Sequence, residues 1–112
     1  MKKTKLVVLV SGSGRTAENL HTKIQENLNS CINISLVIAS NSKIKAFNKL
    51  KSLGLNVEIV PESDQLLIER IKKEKADFII LAGWLKLFPI PPDFVGKVIN
   101  IHPSLLPDFG GK

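Results

Sequence analysis

Leu6-Val7-Val8-Leu9-Val10-Ser11-Gly12-Ser13-Gly14-Arg15-Thr16 is the stretch on which the reading of the fold turns. Five aliphatic residues in succession, without polar alternation, predict a strand buried on both faces, as in a parallel sheet covered by helices. Glycines end the run. Beyond them Ala17, Leu20, Ile24 and Leu28 recur at helical spacing with polar residues between them, which predicts a helix.

The same rhythm continues down the chain. Ile34 to Ala39 reads as a second strand, ended by the turn-prone Ser40-Asn41-Ser42. Ala46, Phe47, Leu50 and Leu53 mark a second helix with Gly54 where a C-terminal cap is expected. Val57 to Val60 is a short third strand stopped by Pro61, and Ser63 or Asp64 can cap a third helix carrying Leu67, Ile68 and Ile71. Phe78 to Ala82 is a fourth strand. A loop containing Pro89, Pro91 and Pro92 leads to a fifth, Lys97 to Ile101. Strand alternating with helix predicts an α/β fold, a doubly wound parallel sheet with right-handed crossovers. In the order 3-2-1-4-5 the winding reverses between strands 1 and 4, and ligands bind at the carboxyl ends of the strands there. Three segments therefore carry the functional question: 11–16, 83–88 and 100–107.

Composition narrows the classes. The 112 residues, 44% hydrophobic and 23% charged, suit a single globular domain rather than a disordered chain. No repeat, linker or low-complexity stretch interrupts them. A single cysteine, Cys31, forms no internal disulfide and offers no metal-ligand spacing, so no metal is expected. The basic start resembles a signal peptide, but its apolar run stops after five residues, short of the roughly 7–15 a secretory core requires. No membrane association is expected, and the chain reads as cytoplasmic.

The net charge is +6 and the pI about 9.6. Much of the excess lies in Lys43/Lys45/Lys49/Lys51 and Lys72/Lys73/Lys75, inside helical segments, where lysines form solvated faces. Nucleic-acid modules interleave basic residues with aromatics, and this chain has five Phe and one Trp, mostly away from these lysines. An anionic small molecule explains the charge as well, and nucleic acid is not expected as a partner.

The loop 11–16 aims backbone N–H groups and the positive end of a helix dipole at whatever binds there. A phosphate site is one reading; a tight turn with a Ser or Thr cap is the other. Gly12-x-Gly14-x-x-Ala17 meets the dinucleotide fingerprint loosely, but Ala39-Ser40-Asn41 supplies no carboxylate for a ribose hydroxyl. At the fifth strand, Asn100 and His102 are two residues apart and project from one face. Polar groups there are costly in a buried sheet unless satisfied or used. Asn can donate to a developing oxyanion and His can move a proton; local hydrogen bonding is the alternative. His21 reads as a surface residue within the first helix.

These segments are similar to those of a known family. Asn100-Ile101-His102-Pro103-Ser104-Leu105-Leu106-Pro107 resembles the active-site signature of the phosphoribosylglycinamide formyltransferases. Leu81-Ala82-Gly83-Trp84-Leu85-Lys86-Leu87-Phe88 is similar to their folate loop, and Val8 to Gly14 resembles their substrate-phosphate loop. The resemblance implies a Rossmann-like formyltransferase fold, with residues 1–112 as an N-terminal domain truncated after strand 5. It implies transfer of a formyl group from the co-substrate 10-formyltetrahydrofolate to the amine of 5-phosphoribosylglycinamide, in purine biosynthesis. Both partners are small molecules, and a homodimer is compatible with the family.

By the same resemblance His102 is the general acid and proton shuttle, and Asn100 holds the oxyanion and contacts the folate. Gly14, Arg15 and Thr16 bind the substrate phosphate, although the family more commonly continues Gly-Ser-Asn. Leu85, Lys86, Leu87 and Phe88 hold the pterin, largely through backbone groups. The aspartate that pairs with the family's histidine is expected beyond Lys112; neither Asp93 nor Asp108 stands at its position. Other readings within this fold are a methionyl-tRNA formyltransferase or a formyltetrahydrofolate hydrolase, and outside catalysis a nucleotide- or folate-binding remnant.

Overall fold

A computed structural model describes residues 3–27, 31–84, 88 and 90–101. It contains a five-stranded, wholly parallel sheet formed by β1 (Thr4–Val10), β2 (Ile32–Ala39), β3 (Val57–Ile59), β4 (Phe78–Ala82) and β5 (Val98–Ile101). The strand order is β3-β2-β1-β4-β5, as the alternating pattern predicts. Helices α1 (Arg15–Glu26), α2 (Lys45–Ser52) and α3 (Asp64–Glu74) connect the first four strands. A short 3-10 helix, η1 (Pro92–Phe94), lies in the proline-rich connection, where the sequence pattern suggests only loop. Proline at its first position has the missing N–H where no partner is needed.

β1 divides the core into two layers. Val8 and Val10 pack with Ala17, Ala46 and Leu50 on the α1/α2 side, while Val7 and Leu9 pack with Leu67, Ile71 and Phe94 on the α3/η1 side. All four β1 residues have no exposed surface, which is the reason for the unbroken aliphatic run. One irregularity escapes the pattern. Leu6 pairs with Ile34 but Val7 pairs with Leu36, so Ser35 is an extra residue in β2, and its hydroxyl donates to the Leu6 carbonyl at 3.3 Å.

The helix ends are set by local chemistry. Ser63, not Asp64, is the N-cap of α3, its hydroxyl accepting from the Leu66 N–H at 3.1 Å. Gly54, with φ of 88°, closes α2: its N–H reaches the Lys51 carbonyl, and the Leu55 N–H reaches that of Leu50. Outer strand β3 is tied to α3 by Arg70, whose guanidinium grips both oxygens of Glu58 at 2.8 and 2.6 Å and one of Glu74 at 3.0 Å. The hydrogen bonds from Arg70 hold the Glu58 carboxyl below its ordinary pKa, and the guanidinium pKa is raised in turn. Among the described residues no helix is long and apolar enough to cross a membrane.

Candidate active site at the strand ends

Register places the three segments side by side. Val10 pairs with Ala82, and Ala82 with Ile101, so the carboxyl ends of β1, β4 and β5 lie in one row. Adjacent strands are about 4.8 Å apart, so the outer two of these ends are separated by roughly 10 Å. The switch point is between β1 and β4, whose crossovers leave in opposite directions.

After β1 the chain makes a turn with both glycines left-handed, Gly12 at φ of 74° and Gly14 at 72°. Gly14 is the N-cap of α1 and has no side chain to cap with, so the sequence alternative of a Ser or Thr cap is not what is found. The first-turn N–H groups consequently face the strand ends without a capping side chain. Arg15 is exposed and Thr16 half-buried. The acidic residue of that turn, Glu18, is bonded to Lys49 at 3.1 Å, which offsets its repulsion of an anion.

Gly14 has a second reason to be glycine. A Cβ there would stand 2.6 Å from the Ala46 Cβ, at the start of α2. The Ala46 N–H also donates to the Gly12 carbonyl at 3.1 Å, so the β1–α1 turn is braced from both ends by α2. Gly12, by contrast, is exposed, with nothing within 4 Å of where its Cβ would be. One glycine faces the protein and the other faces outward.

At the end of β4, Gly83 turns the chain with φ of 72°, and its N–H reaches the Ile101 carbonyl at 3.4 Å, linking the ends of β4 and β5. Trp84 is buried in the α3-side layer, and Phe88 packs against that layer and stacks on Phe94, ring centroids 6.5 Å apart at 10°. Leu85, Lys86 and Leu87 lie outside the described residues. The Trp84 indole N–H is buried without a hydrogen-bond acceptor among the described residues.

Asn100 pairs with Leu81 and shares its face of the sheet with Val98. It is exposed, because β5 is the outermost strand of the described sheet on that side. His102 lies outside the described residues, and with it the expected Asn100–His102 pairing. His21 is half-buried. It lines a cleft of about 700 Å³ at the opposite end of the sheet, with Lys3, Lys5, Asn33, Asn56 and Glu74. That cleft faces the C-terminal ends of α1 and α2, the wrong end of the dipoles for a phosphate.

The arrangement has counterparts among known proteins. A sequence model of the formyl transferase family matches residues 4–112. Over the full length of this chain, a chloroplastic phosphoribosylglycinamide formyltransferase of Vigna unguiculata is 30% identical, and over 99% of it one from Arabidopsis thaliana is 32% identical. The chain spans 39% and 41% of those two relatives. The crystal structure of phosphoribosylglycinamide formyltransferase from Anaplasma phagocytophilum superposes with a TM-score of 0.80 at 30% identity, covering 96% of this chain and 54% of its own. With the family model matched over residues 4–112 and a solved relative superposing over 96% of its length, the chain belongs to the formyl transferase family.

Proposed function

We propose that this chain forms the N-terminal portion of an enzyme that transfers a formyl group from 10-formyltetrahydrofolate to the amine of 5-phosphoribosylglycinamide. The observation that carries the reading is the single row of strand ends, Val10, Ala82 and Ile101, from which the phosphate loop, the folate loop and the signature segment all leave. A phosphate held by the Gly14 turn and the Arg15 and Thr16 side chains places the amine of the same substrate toward β4 and β5. The pterin is assigned to Leu85, Lys86, Leu87 and Phe88, of which Phe88 packs against the layer containing Phe94.

The amine nitrogen attacks the formyl carbon, and the carbonyl electron pair moves onto oxygen. Asn100 donates to that oxyanion; a fixed donor of this kind contributes about 3–4 kcal/mol of barrier lowering. Collapse reforms the carbonyl, breaks the bond to N10 and expels tetrahydrofolate. His102 carries the proton that the amine loses and N10 gains. Arg15 supplies a forked, permanently charged donor to the phosphate, a stronger partner than the serine hydroxyl that the family more commonly has at this position. The two small-molecule substrates are the partners, and the cytoplasm, with its reducing conditions, suits the exposed thiol of Cys31.

The test is release of tetrahydrofolate by the protein at its native length. Release that depends on 5-phosphoribosylglycinamide supports transfer. Release at the same rate with water as the only acceptor would replace the reading with hydrolysis.

A further inference from the structure

Positive charge gathers where α2 meets the β1–α1 turn. Lys43 and Lys45 are exposed at the start of α2, whose first turn holds no acid and whose N-cap, Ile44, has no side chain able to accept a hydrogen bond. Arg15 opens α1. A cation at a helix N-terminus opposes the macrodipole, and among the described residues none of these three has an ion-pair partner. The position of one of them is fixed by its neighbours. Helices α1 and α2 leave the same end of the sheet and pack on the same face of it, so they run parallel, and Lys49 of α2 meets Glu18 of α1 at 3.1 Å. Residues four apart share a helix face, so one turn back along each helix Lys45 takes the place of Lys49 and Gly14 that of Glu18. The packing agrees with this level. Ala46, beside Lys45, is the residue that a Cβ on Gly14 would meet at 2.6 Å, and its N–H donates to the Gly12 carbonyl at 3.1 Å. Lys45 thus stands toward the first turn of α1 as Lys49 stands toward Glu18, with no acid opposite it.

We propose that Lys45 is a specificity-determining residue for the substrate phosphate, a second cation beside Arg15 that matches the β1–α1 turn to a doubly charged phosphomonoester. The inference rests on the 5-phosphoribosylglycinamide reading above and adds to it a residue of α2, outside the 11–16 loop. A phosphomonoester carries close to two negative charges at neutral pH, and Arg15 and Lys45 supply two positive ones. The lysine's flexible stem lets the ammonium follow the anion, while the forked guanidinium fixes its orientation. The bound anion also offsets the repulsion of each cation by its own helix end, so the ligand removes a cost that the free chain carries.

The experiment measures binding of 5-phosphoribosylglycinamide and of ribose 5-phosphate to the native-length protein and to its Lys45→Gln, Lys45→Arg and Lys51→Gln variants. Lys51 lies in the last turn of α2, over the Phe47 ring, so its loss removes the same charge far from the turn. Lys45→Gln is expected to raise both dissociation constants about tenfold. Lys45→Arg keeps the charge and should hold them within about threefold, and Lys51→Gln should change them less than about twofold. Without ligand, Lys45→Gln should melt about 1–4 °C above the parent, because it takes a cation from the positive end of a helix. Equal effects at Lys45 and Lys51 would reduce the effect to general charge, and a lowered melting temperature with weakened binding would make Lys45 structural; either result overturns the inference. So does unchanged binding in Lys45→Gln, which leaves the substrate reading standing. If the parent binds ribose 5-phosphate but not 5-phosphoribosylglycinamide, the substrate reading fails, and the variants' affinities for ribose 5-phosphate still decide the role of Lys45. A parent that binds neither ends both.

Discussion

The β1–α1 turn and the end of β5 lie two strand spacings apart, yet they are held in different ways. The turn leaves a strand with no exposed surface from Val7 to Val10, and α2 braces it through the Ala46 N–H and the Gly14–Ala46 contact. Asn100 stands on the outermost strand, beside Ile99, which is 44% exposed. Geometry at the turn is set by packing against the centre of the fold. At β5, among the described residues, it is set by the ladder to β4, the Gly83–Ile101 link and the partly buried Val98 and Ile101. Binding a phosphate needs only a rigid cradle, whereas the proposed chemistry sits where fewer contacts constrain it.

The largest effects should therefore separate chemistry from stability at β5. His102→Ala in the native-length protein is expected to slow transfer by about 10²–10⁴, while 5-phosphoribosylglycinamide binding changes less than about threefold. Comparable losses in both would make the histidine structural. Asn100→Ala is expected to slow transfer by about 10²–10³. Because Asn100 is exposed in this chain, the unfolding free energy of the 112-residue variant should stay within about 0.5 kcal/mol of its parent. A large stability loss at Asn100 would erase the contrast between the two regions.

At the turn the order is reversed, and stability responds first. Gly14→Ala adds a left-handed penalty of about 1–2 kcal/mol and an overpacking cost of about 1–3 kcal/mol against Ala46. A loss of about 3 kcal/mol in denaturant unfolding is expected. Gly12→Ala meets the same backbone penalty with open space around the methyl group, so about 1 kcal/mol is expected. Combining Gly14→Ala with Ala46→Gly should recover part of the loss, a coupling of about 1–2 kcal/mol. Equal costs at the two glycines would show that α2 does not fix the turn.

How much of this was legible follows from the range of the forces involved. The strands were, because burial on both faces writes an unbroken aliphatic run at Leu6–Val10 and Phe78–Ala82. Caps were, because Ser63 and Gly54 act within a few residues of themselves. The Ser35 bulge was not, since it reflects a pairing of β2 with β1 that no local pattern encodes. Gly14 was singled out for its conformation and its closeness to an anion, but its packing partner is 32 positions away and visible only in the fold. The exposure of Asn100 in this chain follows from β5 being the outermost described strand, a position that no local pattern encodes.

The opposite edge of the sheet offers the mildest test of the same contrast, since β3 has a side-chain tie that β5 lacks among the described residues. Arg70 holds both oxygens of Glu58, but the Glu58 side chain is 40% exposed, so the pair is expected to contribute only about 0.5 kcal/mol. Its pH dependence has a definite sign. The Glu58 pKa is lowered in the folded chain from the ordinary 4.5, chiefly by the Arg70 hydrogen bonds. The folded state therefore binds the proton less readily than the unfolded one, and the benefit is complete above 4.5 and disappears as the pH falls through the lowered value. Arg70 stays charged throughout, its own pKa being raised. The stability difference between the parent and Glu58→Gln should accordingly be constant at neutral pH and close below the ordinary glutamate range. A difference that persists in strong acid would mean that the tie acts through packing of the arginine stem rather than through charge, and that β3, like β5, is held mainly by its ladder.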